Sequence, residues 1–209
     1  MQLYHCRDSR SLRPLWALEE AGLSYELEKM PFPPRYCVEG YLDINPLGTV
    51  PALRVGDTVM TESAAMCQLI GEMAQDASLR LSPAEPDYPL YLNWLHRSDA
   101  TLTFPLTLVL RYSRLEPEER RSAQVVEDYR LWFLKRAQSV ERALENAGHL
   151  CGGRFTMADI AVGYALYLAD RLGVSADFEP RTRDYLARLT ARPAFLRAAE
   201  LQSDMALVV

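Results

Sequence analysis

The chain has 209 residues, enough for one large domain or two smaller ones that each bury a core. Hydrophobic residues make up 49% and charged residues 24%, the balance of an ordinary globular protein rather than a disordered or fibrous one. Its 23 basic and 28 acidic residues leave a net charge of -5, and no stretch is dominated by Lys or Arg, so a nucleic-acid partner is not expected. The opening MQLYHCRDSR lacks an apolar run of signal-peptide length, and no uncharged run is long enough to span a bilayer. We therefore expect a cytoplasmic protein with no membrane partner. The four cysteines, Cys6, Cys37, Cys67 and Cys151, are far apart and form no Cys-x-x-Cys pair, which argues against a disulfide framework. His5, His96 and His149 are equally scattered, and no metal site is expected.

Residues 1 to about 77 mix strand and helix signals. LYH (3–5) suits a short strand, and residues 11–21 carry a helical pattern stopped by Gly22. YELEK (25–29) alternates and predicts a second strand. Pro31, Pro33 and Pro34 follow, three prolines in four residues that preclude regular strand pairing. PALRVGDTVMT (51–61) predicts a hairpin with Gly56-Asp57 as its two-residue turn. ESAAMCQLIGEMA (62–74) then reads as a helix. This order is that of a compact α/β unit built around one βαβ crossover.

Residues 78–87 hold two prolines and no periodicity, and read as a linker to an all-helical domain over 88–209. Tyr88 to Tyr112 is one long helical pattern in which Pro105 predicts a kink or break. A helix is expected over 116–148, with Val125, Tyr129, Trp132, Phe133, Val140, Leu144 and Ala147 at helical spacing. Residues 182–190 and 193–203 predict two shorter helices, the second opened by Pro193. In FTMADIAVGYALYLADRLG, the residues from Ile160 to Ala169 are all uncharged, so this helix is expected to be the buried post of the second domain. Thr156 and Asp159 ahead of it have the spacing of a capping box, which assigns Asp159 a structural task.

Three pieces of the α/β unit can carry chemistry. Ser9 and Ser11 lie between the first strand and the first helix, where serine serves either as a helix cap or as a ligand for an anion. Val50-Pro51, at the head of the hairpin, is either a trans strand opener or a cis turn. The cis form turns Val50 so that its N–H and C=O face outward, an edge for an extended peptide. Ser63 stands at the start of the next helix, where it can cap the helix while the free N–H groups favour a carboxylate. Glu62 beside it suits an ammonium group. Together they describe a receptor for a small amino-acid-like peptide.

These stretches resemble the cytosolic glutathione transferases of the serine type. NPLGTVPAL (45–53) with TES (61–63) is similar to the glutathione-binding core of that family, and FTMADIAVGYALYLA to its second-domain capping motif. The resemblance implies a thioredoxin-like N-terminal domain followed by an all-helical C-terminal domain, with glutathione as co-substrate and no metal. It implies Pro51 as a cis-proline, Val50 pairing with the cysteinyl backbone of glutathione, and Glu62 and Ser63 holding the γ-glutamyl end. Thr49 stands where many bacterial relatives carry Lys or Arg for the glycyl carboxylate. SRSLR (9–13) puts Ser9 at the sulfur-binding position when Arg13 is matched to the family's arginine, with Ser11 the alternative.

By that resemblance a serine hydroxyl donates to the glutathione sulfur and favours the thiolate, which attacks a small hydrophobic electrophile. Trp94, Phe104, Leu108 and Tyr112 are candidate apolar neighbours of that electrophile, or simply core. A homodimer is implied as well. Other readings are glutathione-dependent isomerisation of the maleylacetoacetate isomerase kind, a non-catalytic binding or regulatory module, and a thiol-disulfide oxidoreductase. The isomerases use a Ser-Ser-Cys run where this chain has Asp8-Ser9-Arg10, and the last reading lacks its Cys-x-x-Cys.

Overall fold

In the computed structural model, which describes residues 1–206, the chain forms two compact units. One comprises Met1–Leu79 together with residues 191–206; the other is Arg80–Thr190. The first opens with β1 (Gln2–His5), α1 (Leu12–Ala21) and β2 (Glu26–Lys29). Two single-turn helices follow, α2 (Pro34–Cys37) and α3 (Tyr41–Ile44), then β3 (Ala52–Val55), β4 (Thr58–Met60) and α4 (Ser63–Met73). The sheet order is β2-β1-β3-β4. β1 and β2 are parallel, joined by α1 as the crossover, while β3 and β4 run antiparallel as a hairpin. This is the thioredoxin-like arrangement expected from the order of elements.

Local chemistry explains several boundaries. Gly22 ends α1 in the left-handed region at φ 62°, where its N–H reaches the Leu18 carbonyl. Gly56 takes a left-handed φ of 58° at the hairpin turn, a conformation that side chains with a Cβ resist. The three-proline segment forms no strand, and Pro34 opens α2, where a missing N–H costs nothing.

The second unit is helical. It contains α5 (Tyr88–Arg97), α6 (Phe104–Leu110), α7 (Ala123–Ala143), α8 (Met157–Arg171) and α9 (Pro180–Thr190). Pro105 does not break the helical path from Tyr88. The backbone instead widens into π-helical turns over 98–103 and again over 111–115. Pro105 has no N–H to offer the preceding turn. The wider turn ahead of it lets the Phe104 N–H reach the Asp99 carbonyl, and the Thr103 hydroxyl donates to the Ser98 carbonyl at 2.7 Å. α7 is also shorter than its sequence pattern. It starts at Ala123 because Ser122, in extended backbone, accepts the Val125 N–H, whereas the Glu116 carboxylate is taken by Arg111 at 2.6 Å and Arg120 at 3.3 Å. It ends at Ala143, so Ala147 lies beyond it and is exposed.

α8 is the buried post of this unit: every residue from Met157 to Leu166 is buried. The capping box at its start is complete, with Thr156 and Asp159 each answering the other's end of the first turn. Asp159 does more than cap. Its wholly buried carboxylate accepts the Thr156 N–H at 2.8 Å, the Leu150 N–H at 3.1 Å and the Tyr185 hydroxyl of α9 at 2.6 Å. The capping residue therefore joins the loop before α8 to α9.

The last helix, α10 (Pro193–Leu201), belongs to the first unit and packs on α1. Trp16 meets Phe195 edge-on with ring centroids 5.0 Å apart. Arg192 pairs with Glu20, and Arg197 with Glu19 at 2.8 Å. No helix among the described residues is long and apolar enough to cross a membrane.

Asp159→Ala takes the acceptor from four buried donors, the Leu150 and Thr156 N–H groups and the Thr156 and Tyr185 hydroxyls. Removing one member of a buried charged network costs about 3–5 kcal/mol, and we expect a loss of that size in stability by chemical denaturation. An unchanged midpoint would remove Asp159 from the centre of the second unit.

Candidate active site

Strand register brings the three pieces together. Leu3 lies opposite Leu53 and Tyr4 opposite Ala52, so the chain leaving β1 at Cys6 runs beside the chain entering β3 at Val50-Pro51. Tyr4, Cys6, Val50 and Ala52 share one buried cluster with Met30 and Tyr41. The hairpin returns Met60 opposite Leu53, so Glu62 and Ser63 emerge at that same end of the sheet. A buried polar contact then ties the starts of two helices: the Arg13 guanidinium of α1 donates to the Ser63 hydroxyl of α4.

The Val50-Pro51 peptide is cis. Among the described residues no hydrogen bond reaches the Val50 N–H or C=O, although Val50 is buried at 5% exposure. Its neighbour is held firmly. The Thr49 carbonyl accepts the Tyr41 hydroxyl at 2.6 Å and Asn45 Nδ2 at 2.7 Å, while the Thr49 hydroxyl lies 3.4 Å from Asn45 Nδ2. Gly48 precedes it at φ 62°, and a Cβ there would stand 2.8 Å from that of Arg35. A buried backbone donor and acceptor left open on a fixed segment need a partner, and an extended peptide supplies one.

At α4 the N-cap position belongs to Glu62, whose side chain makes no capping bond. Ser63 is the first helical residue and does not cap, because its hydroxyl oxygen accepts from Arg13. The N–H groups of Ser63, Ala64 and Ala65 have no partner among the described residues. These donors and the helix dipole favour a carboxylate, and the exposed Glu62 beside them favours a cation.

The turn after β1 is a closed polar network. Ser11 stands at the N-cap of α1 but makes no side-chain cap. Its hydroxyl is used elsewhere: it accepts the Cys6 N–H at 3.1 Å and lies 2.8 Å from His5 Nδ1 and 2.7 Å from Ser9 Oγ. Ser9 does not turn outward. Its hydroxyl reaches the Cys6 carbonyl at 2.8 Å, and it retains 9% exposure against none for Ser11. Three residues that sequence reasoning did not connect complete the network. His5 Nε2 lies 3.1 Å from Gln202 Oε1, which also accepts the Asp8 N–H at 3.0 Å, and Gln202 Nε2 donates to Asp8 Oδ1 at 2.8 Å. Asp8 adopts a left-handed φ of 55°, which Asp tolerates better than most residues. No spacing in the chain links His5 to Gln202, 197 positions apart.

Burial sets the proton states here. It lowers the His5 imidazole to about 4 against the favourable contacts of Gln202, Ser11 and Asp8, so the ring is neutral at physiological pH. It pushes the Cys6 thiol up to about 12, and with its Sγ 3.6 Å from the Pro31 carbonyl Cys6 is an inert neutral thiol. Among the described residues no group of three or more His, Cys, Asp or Glu is placed to hold a metal ion.

Comparison with known proteins identifies the family. The glutathione S-transferase N-terminal domain matches residues 9–73, and the glutathione S-transferase C-terminal domain matches residues 123–190. Glutathione S-transferase GstA of Escherichia coli O157:H7 is 26% identical over 92% of this chain and 94% of its own length. Glutathione S-transferase 1 of Zea mays is 29% identical over 99% of each, and the maleylacetoacetate isomerase of Pseudomonas aeruginosa is 29% identical over 95% of each. Among solved structures, a ternary complex of BphK, a bacterial GST, superposes with a TM-score of 0.86 at 25% identity, covering 97% of this chain and all of that one. A glutathione transferase from Methylococcus capsulatus reaches 0.85 at 26% identity, over 97% and 98% of the two chains. With a thioredoxin-like unit, a helical unit and both domain families matched in order, this chain belongs to the glutathione S-transferase family.

Proposed function

We propose that the protein is a glutathione transferase that binds the tripeptide along Val50, activates its sulfur at the serine turn and passes it to a hydrophobic electrophile. The observation that carries this reading is the open backbone pair of Val50 beside cis-Pro51, at the same end of the sheet as the α4 N-terminus and Ser9. The cysteinyl N–H and C=O of glutathione pair with Val50. Its γ-glutamyl carboxylate takes the Ser63 hydroxyl and the free N–H groups of α4, and its ammonium group takes Glu62. Thr49 offers the glycyl end a neutral hydroxyl in place of a cation.

Chemistry follows from the sulfur's position. A free thiol is largely protonated at neutral pH and reacts poorly; the thiolate is the nucleophile. Ser9 Oγ–H donates to sulfur, and the N-terminus of α1 adds a favourable field of about 0.3–1 kcal/mol. Both favour the thiolate, which forms the S–C bond as the electrophile loses its leaving group. Ser9 serves as donor and never as nucleophile, so no general base is required of it. The Asp8-Ser9-Arg10 turn lacks the Ser-Ser-Cys run tied to the isomerases, and transfer remains the reading. The working form is a homodimer, for which light scattering is expected to give twice the chain mass.

Ser9→Ala is expected to lower the conjugation rate with an aromatic halide by about 10- to 100-fold, the scale of one charge-assisted hydrogen bond. Full rate in Ser9→Ala with loss in Ser11→Ala would move the role to Ser11. Glu62→Ala is expected to raise the glutathione KM about tenfold with kcat little changed. No retention on immobilised glutathione by the wild type would overturn the reading itself.

A further inference from the structure

The protons of the serine turn can be assigned one by one. Gln202 is held from both sides: the Asp8 N–H can only donate and the Asp8 carboxylate can only accept, so Gln202 Oε1 faces the first and Nε2 the second. His5 Nε2, 3.1 Å from that same Oε1, therefore carries the ring proton. His5 Nδ1 is then a buried acceptor, and the Ser11 hydroxyl, 2.8 Å away, is the donor the structure gives it. Ser11 also lies 3.2 Å from the Cys6 carbonyl, but that oxygen already accepts from the Ser9 N–H and the Ser9 hydroxyl.

This leaves one mobile proton. If Ser11 gave its proton to a ligand, His5 Nδ1 would be orphaned in the interior, where an unanswered acceptor is costly. If Ser9 gives its proton to a ligand, nothing buried is orphaned: the Cys6 carbonyl keeps the Ser9 N–H, and Ser11 Oγ keeps the Cys6 N–H. Ser9 is also the one of the two that retains exposure.

We propose that His5 and Gln202 are positioning residues for sulfur activation: they commit the Ser11 proton to His5 Nδ1, so that Ser9 is the hydroxyl that donates to the glutathione sulfur. The inference rests on the transferase reading and deepens it. The end of the last helix thus acts on the turn after the first strand. That end is itself anchored in the same unit, by Arg7 donating to the carbonyls of Ser203 and Met205 and by Lys29 paired with Asp204. The charged groups acting on His5 are Asp8 and Lys29, and their opposite signs partly offset. The burial that keeps the ring neutral keeps the proton order constant across physiological pH.

Two measurements on the full-length protein test this. Histidine-detected proton–nitrogen correlation on the wild type, with three histidines to assign, is expected to show His5 as the Nε2–H tautomer at pH 7. An Nδ1–H tautomer overturns the proposal without any variant having to fold. Second, the thiol pKa of bound glutathione is read from thiolate absorbance in wild type, His5→Leu, His5→Asn and Gln202→Leu. His5→Leu and Gln202→Leu are expected to raise it by about one unit, a tenfold smaller thiolate-to-thiol ratio well below the pKa, with glutathione affinity within about twofold. His5→Asn offers an oxygen near the Nδ1 position and is expected to restore most of the wild-type value. Variants that lose only affinity or thermal stability, with the bound thiol pKa unmoved, overturn the positioning role. Failure of the wild type itself to bind glutathione or lower its thiol pKa overturns the transferase reading instead, so the two failures are distinct.

Discussion

Where β1 ends, the Cys6 N–H and C=O point into a turn with no strand to pair them, and Cys6 is wholly buried. Water cannot answer these groups, so the turn itself must, through the Ser9 N–H and two side chains. Ser11 accepts the N–H, and Ser9 donates to the carbonyl. That constraint shapes the turn, starts α1 at Leu12 and aims Arg13 at Ser63. The second unit meets the same demand with one carboxylate, since Asp159 answers buried donors from its own helix, the preceding loop and α9. In both units a buried polar group is tolerated because its bonds are complete, and the completeness makes it an organising point.

The open groups stand out against that background. Most of the buried polar inventory is bonded, yet Val50 and the first N–H groups of α4 lack partners among the described residues. They lie at one end of one sheet, beside the serine turn. A tripeptide with a backbone to pair, a carboxylate to cradle and an ammonium to balance fits that pattern of vacant donors and acceptors. The firmness of the surrounding segment, with Tyr41 and Asn45 both on the Thr49 carbonyl, keeps the edge preorganised.

Much of the fold was legible because it rests on local rules. The Gly56-Asp57 hairpin, the Gly22 stop, the Thr156–Asp159 box and the apolar run of α8 each follow from a few neighbouring residues. Local rules failed where two of them compete. Pro105 predicts a break, but a π turn and the Thr103 hydroxyl absorb the missing bond. The 116–122 stretch looks helical by its charges, but Arg111 and Arg120 draw Glu116 into ion pairs and Ser122 caps later. Ser11 and Ser63 look like caps, and both hydroxyls are taken by partners outside their own helices, His5 of β1 for one and Arg13 of α1 for the other.

By itself the sequence determined most of the element order and the family the chain resembles, because residue type and near spacing suffice for turns, caps and amphipathic faces. Only the tertiary structure decided how the two hydroxyls are bonded, Ser11 beside His5 Nδ1 and Ser9 on the Cys6 carbonyl. That choice depends on Gln202 reaching back across 194 positions to Asp8 and 197 to His5, and a hydrogen bond between residues so far apart leaves no periodicity in the chain to read.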